Sequence, residues 1–238
     1  MRKTLLVMSG KGGVGKTTLA VNLALNLARK GNRVGILDAD IHGPNVLKML
    51  GYSGPRLKVD GDKIAPIRIG PKLFAASIAG FVEDNSAIIW RGPMKHTAIK
   101  QLALDVRWGT LDYLVVDLPP GTGDEHLSVV QLMKDIVGAV IISTPQQVSI
   151  MDMMRAVDFC RQTGVKIIGV IENMSGSIFG SGTVEKVCKA NDLTFLGQIP
   201  LSKEVVQSGE EGKPLFEYNN PLLTKSFNTI MAKITGEK

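Results

Sequence analysis

The sequence predicts an α/β fold, a mostly parallel sheet with helices on both faces. Three observations predict it. Short apolar runs alternate with helical patterns along most of the 238 residues, the order that gives crossover-connected parallel strands. The segment Gly10-x-x-x-x-Gly15-Lys16-Thr17 lies between the apolar run Leu5-Leu6-Val7 and a helical pattern at Leu19, Leu23 and Leu27, the strand–loop–helix context that a phosphate-binding loop needs. Two apolar runs close on carboxylates, at Asp38 and Asp117, where open α/β sheets place their ligands. Residues 1–238 are expected to form one domain, since such folds often pass 200 residues undivided.

In chain order, the first strand feeds Gly10-Lys11-Gly12-Gly13-Val14-Gly15-Lys16-Thr17-Thr18. Glycines let the backbone curl so that successive N–H groups face phosphate oxygens, and the positive end of the next helix faces the same anion. Lys16 is expected to reach the β- and γ-phosphates and the Thr17 hydroxyl to ligate Mg²⁺. A Gly-rich turn entering an ordinary helix is the bland alternative. The helix over about 16–30 should end at Gly31.

The second strand, 33–37, runs into Asp38-Ala-Asp40-Ile-His-Gly-Pro44. There Asp40 is placed to orient or deprotonate a water and Asp38 to support a Mg²⁺ shell; an Asx turn before Gly-Pro is the alternative. Residues 51–80 read as a Gly/Pro-rich excursion with a hairpin turn at Val59-Asp-Gly61. Trp90 reads as a packing residue, and a helix follows over about 95–106. The strand 113–117 ends at Asp117, a second carboxylate for the Mg²⁺ shell, and Leu-Pro-Pro-Gly121-Thr-Gly123-Asp124 follows as a loop able to sense a γ-phosphate. Further strands are expected at 136–142, 166–171 and 193–199. Helices are expected at 149–163 and from about 221, the latter docking Leu223, Phe227, Ile230, Met231 and Ile234 on the core.

Composition narrows the function classes. Apolar residues make up 44% of the chain, enough for a core, and no run approaches the roughly 18 residues of a membrane span. The N-terminal run is too short for a signal peptide, which reads as cytoplasmic. The net charge is +6, concentrated in the first half. This suits an anionic ligand, while basic runs of at most two residues without interleaved aromatics give no strong nucleic-acid signal. Two cysteines, Cys160 and Cys188, make no disulfide framework and both fall on apolar helical stripes, where free cysteine acts as a small hydrophobe.

The second lysine of the loop, Lys11, gives Gly-Lys-Gly-Gly-x-Gly-Lys-Thr, which resembles the deviant phosphate loop of the MinD/ParA/nitrogenase-iron-protein group. That resemblance implies a P-loop NTPase fold and an ATP-dependent homodimer in which Lys11 reaches the partner's nucleotide. Trp90-Arg-Gly-Pro-Met94, Leu111 to Asp124, Leu127-Ser-Val-Val-Gln131 and Glu172-Asn-Met-Ser175 further resemble the Mrp/ApbC iron–sulfur cluster carrier ATPases. The resemblance runs over essentially the whole chain. It implies ATP binding and slow hydrolysis coupled to handing a cluster to recipient apo-proteins. Gly10 through Thr18 would then hold phosphates and Mg²⁺, Asp40 would activate water, Asp117 would support the metal, and Asn173 and Pro200 would read adenine. No Asn/Thr-Lys-x-Asp segment for guanine occurs, so ATP is expected over GTP.

The chain departs from that family at Met174-Ser-Gly-Ser-Ile-Phe-Gly-Ser-Gly182. There a Cys-x-x-Cys pair is usual and no cysteine occurs, and a cluster shared by two protomers needs four thiolates. His42, His96 and His126 are scattered and suggest no metal site. A MinD/ParA-like nucleotide-dependent switch without a cluster is therefore the second expectation.

Overall fold

The computed structural model describes residues 2–55, 57–61, 63–80 and 92–236. Trp90 and Arg91, and the side chains of Pro93 to Lys95, lie outside what it describes. The strands are β1 (Lys3–Met8), β2 (Val34–Asp38), β3 (Lys58–Asp60), β4 (Lys63–Ala65), β5 (Ile67–Arg68), β6 (Leu73–Ser77), β7 (Tyr113–Asp117), β8 (Ile136–Ser143), β9 (Ile167–Ser175) and β10 (Phe195–Pro200). The α-helices are α1 (Lys16–Arg29), α2 (Val46–Met49), α3 (Gly92–Leu104), α4 (Asp124–Leu132), α5 (Gln147–Thr163), α6 (Thr183–Ala190), α7 (Lys203–Glu211) and α8 (Pro221–Thr235).

The main sheet runs β10-β9-β8-β1-β7-β2-β6-β5, with β5 antiparallel to β6 and the other pairs parallel. Its central strands are buried almost end to end rather than on alternate residues. Helices cover both faces, so neither set of side chains meets water. This is why those strands read as unbroken apolar runs. The excursion predicted at 51–80 supplies β5 and β6 to this sheet and a separate β3–β4 hairpin, turned at Gly61 with φ +59°.

Register fixes the working end of the sheet. Val7 of β1 and Asp38 of β2 are both Cα partners of Asp117 in β7. The loop after β1 and the carboxylates ending β2 and β7 therefore share one edge. Observed boundaries differ from expectation by up to four residues, most at β9, which continues to Ser175 rather than 171, and at α3, which begins at Gly92.

Both cysteines are buried: Cys160 of α5 lies 3.5 Å from Met8 Sδ, and Cys188 packs in α6. Burial pushes their thiols up to about 12 and about 11, so neither offers a thiolate at neutral pH. Among the described residues no helix is long and apolar enough to cross a membrane. In α8, Leu223, Phe227, Ile230, Met231 and Ile234 are all buried. Ile230 presses on β10 so closely that a Cβ on Gly197 would lie 2.9 Å from its Cγ1. Phe227→Ala should lower unfolding free energy by about 3–5 kcal/mol, read by urea denaturation; a much smaller loss would show that the helix is not part of the core.

Candidate functional site

The loop between β1 and α1 gets its shape from two glycines in the left-handed region, Gly13 at φ +79° and Gly15 at φ +89°. Neighbours hold it on three sides. A Cβ on Gly10 would lie 1.9 Å from the Asp152 carbonyl oxygen of α5, so backbone meets backbone there without room for a side chain. The Gly121 N–H donates to the Ser9 carbonyl at 3.0 Å, tying the 118–123 loop to the start of the phosphate loop. Asn173 donates from Nδ2 to the Val14 carbonyl at 2.8 Å. Gly15 needs its missing side chain for the same contact, because a Cβ would lie 2.2 Å from Asn173 Nδ2.

Asp117 joins the next two residues. Its Oδ1 is 2.6 Å from Lys16 Nζ and its Oδ2 accepts from Thr17 Oγ1 at 2.7 Å. Burial pushes the Asp117 carboxyl above its ordinary range, opposed by Lys16. The neighbouring Asp38 is pushed up to about 7, first by burial and then by the Asp117 charge. Asp38 is also occupied structurally: Oδ2 accepts from the Val46 N–H and from Ser77 Oγ, and Oδ1 from the Asp40 N–H. It thus joins β2, α2 and β6 while lying beside Asp117. Asp40 forms the Asx turn anticipated as an alternative, Oδ1 accepting from the N–H groups of His42 and Gly43 at 3.2 and 3.1 Å.

Two adjoining cavities open on this edge. One, of about 410 Å³, is lined by Lys11, Gly12, Gly13, Lys16, Thr17, Asp40 and Pro120. The other, of about 320 Å³ and mainly apolar, is lined by Asn173, Met174, Pro200, Leu201, Val205 and Val206. They meet along Gly15, Thr17, Thr18, Asn45 and Met174. The first offers amides, two lysines and oxygen donors, a set suited to phosphates and a hard cation. The second offers the flat apolar slot that a base takes.

All the expected phosphate-loop residues, with Asp40, Asp117, Asn173 and Pro200, come together here. The wall supplied by Leu201 and by Val205, Val206 and Gly209 of α7 was missed; its sequence signal was the apolar pair Val205-Val206 shortly after Pro200. Glu172 was also missed as a clamp. Fully buried, it accepts from Gly182 N–H and Ser175 Oγ through Oε1 and from Val184 N–H through Oε2. It so fixes both ends of the cysteine-free segment 176–182, whose Ile178 is 73% exposed. Among the described residues no group of three His, Cys, Asp or Glu side chains could hold a metal ion. His126 is buried, and burial pulls its imidazole down to about 4.

Residues 1–235 match the ParA family model described as NUBPL iron-transfer P-loop NTPase. An iron–sulfur cluster carrier protein of Deinococcus radiodurans is 46% identical, over 100% of this chain and 70% of the relative. One of Saccharolobus solfataricus is 42% identical, over 96% and 81%. Mouse cytosolic Fe-S cluster assembly factor NUBP2 is 41% identical over 91% and 84%. Among solved structures, a nucleotide-binding protein of Archaeoglobus fulgidus in complex with ADP superposes with a TM-score of 0.78 at 31% identity, covering 94% of this chain and 91% of that one. Pyrococcus horikoshii MinD with Mg-ADP shares the fold, with a TM-score of 0.75 at 20% identity over 98% and 96%. With the loop, the strand-end carboxylates and the paired cavities in place, these matches make the chain a member of the iron–sulfur cluster carrier and assembly family of P-loop NTPases.

Proposed function

We propose that the chain binds and slowly hydrolyses ATP as a homodimer, and that this activity serves iron–sulfur assembly. The observation that carries the reading is the unbroken passage from the amide-lined cavity at Lys16 and Thr17 to the apolar cavity at Asn173 and Pro200. It has the order of a nucleoside triphosphate, and the ADP held by the Archaeoglobus relative supports it.

Residues Gly10 to Thr18 hold the phosphates through backbone N–H groups. Lys16 exchanges Asp117 for β- and γ-phosphate oxygens, an exchange of one anion for another that leaves no buried charge alone. Thr17, released from the same carboxylate, offers its hydroxyl to Mg²⁺, with Asp117 and Asp38 behind it through water. Mg²⁺, when bound, would offset the charge that develops on transfer. Asp40, at the mouth of the cavity, orients the attacking water and takes its proton. Lys11 lies half-buried at the rim and serves the nucleotide of the partner protomer. Asn173 commits one amide hydrogen to the Val14 carbonyl and keeps its oxygen as an acceptor toward a base. An acceptor there suits the exocyclic amine of adenine and repels the guanine carbonyl.

The cluster is the cargo in this reading, although Cys160 and Cys188 are buried and the 174–182 segment carries no cysteine. That absence also favours the second reading, a MinD/ParA-like switch whose output is a nucleotide-dependent association. Anaerobic reconstitution separates the two. Stable stoichiometric iron, in absorbance and metal analysis, excludes the switch. No iron, together with nucleotide-dependent binding to lipid or DNA, excludes the carrier.

Lys16→Ala should abolish hydrolysis and weaken ATP binding at least roughly 100-fold, the scale of removing a charge that meets the transferred phosphoryl group, as measured by calorimetry and phosphate release. Lys11→Ala should leave ATP binding by the monomer intact while lowering hydrolysis and nucleotide-dependent dimerisation, read by light scattering. A pH series tests the acid pair. With its folded value raised to about 7, Asp38 contributes stability at low pH that is lost as pH rises through about 4 to 7. Without nucleotide, the unfolding free energy should therefore fall across that window, and Asp38→Asn, which keeps an acceptor for Val46 and Ser77, should flatten the fall.

A further inference from the structure

Parallel strands place all their N-terminal ends on one edge, opposite the nucleotide cavities. Backbone hydrogen bonds tie the residues at that edge into a single row: Lys166 to β8, Asp135 to Thr4, Asp112 to Lys3 and to Arg33, and Lys72 to Val34, each within 2.8–2.9 Å. Lys3, Arg33, Lys72, Lys134 and Lys166 are all exposed in this row, with two exposed carboxylates, Asp112 and Asp135. It crosses six strands, or about 24 Å at the usual strand spacing of ~4.8 Å.

Part of this charge has a local explanation. Arg29 and Lys30 end α1, Lys72 Nζ donates to the Gly31 carbonyl just beyond it, and cations complement the negative end of a helix. That account extends to Lys134 and Lys166, just past the C-terminal ends of α4 and α5, but not to Lys3 at the start of β1, and it leaves all five cations exposed. Nor does the nucleotide use them, since a strand of five residues already separates the two edges by about 17 Å.

We propose that this row is a docking surface for an acidic segment of a partner protein, engaged independently of the nucleotide. Five cations in so short a row call for an anionic counterpart. The row is mixed in sign, and a polyphosphate backbone crossing it would lie over Asp112 and Asp135, whereas a protein can place a cation opposite each. Its aromatic rings are already covered: Lys3 lies over Tyr113 at 5.4 Å, Arg33 over Phe74 at 5.1 Å, and Arg29 over Phe216 at 4.3 Å. These faces are not open for stacking bases, the contact that gives single-stranded nucleic acid its hold. The row residues are charged and short of the large apolar side chains that a membrane-seated surface inserts.

The test uses a labelled glutamate-rich peptide with two interspersed lysines, with affinity read by anisotropy over a salt series, with and without Mg·ATP. The wild-type chain should bind it, more weakly as salt rises, and equally in both nucleotide states. The triple variant Lys3→Glu/Lys134→Glu/Lys166→Glu should lose roughly tenfold or more in affinity through like-charge juxtaposition, with ATP affinity unchanged. A control, Lys100→Glu/Lys186→Glu/Lys225→Glu, makes the same change in net charge elsewhere and should keep its affinity. Should the row variant lose its fold, Lys3→Gln/Lys166→Gln replaces it and should give a shallower salt slope. No binding by the wild type, equal losses in row variant and control, or tighter binding to a DNA oligonucleotide or to phosphatidylserine vesicles than to the peptide would each overturn the proposal.

Discussion

The Asp117 carboxylate governs the arrangement. It is the common partner of Lys16 and Thr17, and it is nearly inaccessible to water. A buried ammonium with no anion beside it would carry several kcal/mol of uncompensated desolvation. The carboxylate therefore lets the chain fold around Lys16 before any phosphate arrives. The cost of this arrangement falls on the acids. Asp117 and Asp38 stand side by side on paired strands; burial resists the charging of both, and the Asp117 charge adds to that resistance at Asp38. A cationic guest relieves that conflict, and an anionic one frees Asp117 from its partners. The site is thus poised for a pair of ligands of opposite sign.

Much of this was legible in the sequence because the information was local. Gly10 to Thr18 carries its own conformation, and Asp38 and Asp117 announce themselves by closing apolar runs. The strands of the central sheet could be read directly because both faces are covered. What could not be read depends on residues distant in the chain. The 1.9 Å approach that demands Gly10 involves Asp152, and the groups holding Asp38 come from α2 and β6. The α7 wall of the base cavity has no motif; it is a polar helix with two valines. The basic row was invisible for the same reason, since each strand contributes one or two charges and only the parallel register assembles them. Composition showed the excess of lysine and arginine in the first half but not the edge on which it collects.

The cysteine-free segment 176–182 is held by contacts of its own. Glu172 holds both of its ends, and Gly176 and Gly180 exchange two backbone hydrogen bonds, at 2.9 and 2.8 Å, across its tip. One residue further along β9, Asn173 grips the phosphate loop. Two successive side chains of one strand thus tie the phosphate loop and the segment carrying Ile178 to the same strand.

The ends of the sheet have a consequence for the chain's behaviour at high concentration. An unpaired strand invites addition of another chain unless it is short, broken or lacks donors. On one side β5 offers two residues. On the other, β10 shifts register at Gly197 and again before Pro200, and the proline has no N–H to give. Among the described residues neither margin presents a long flat ladder of the kind that strand-by-strand stacking extends.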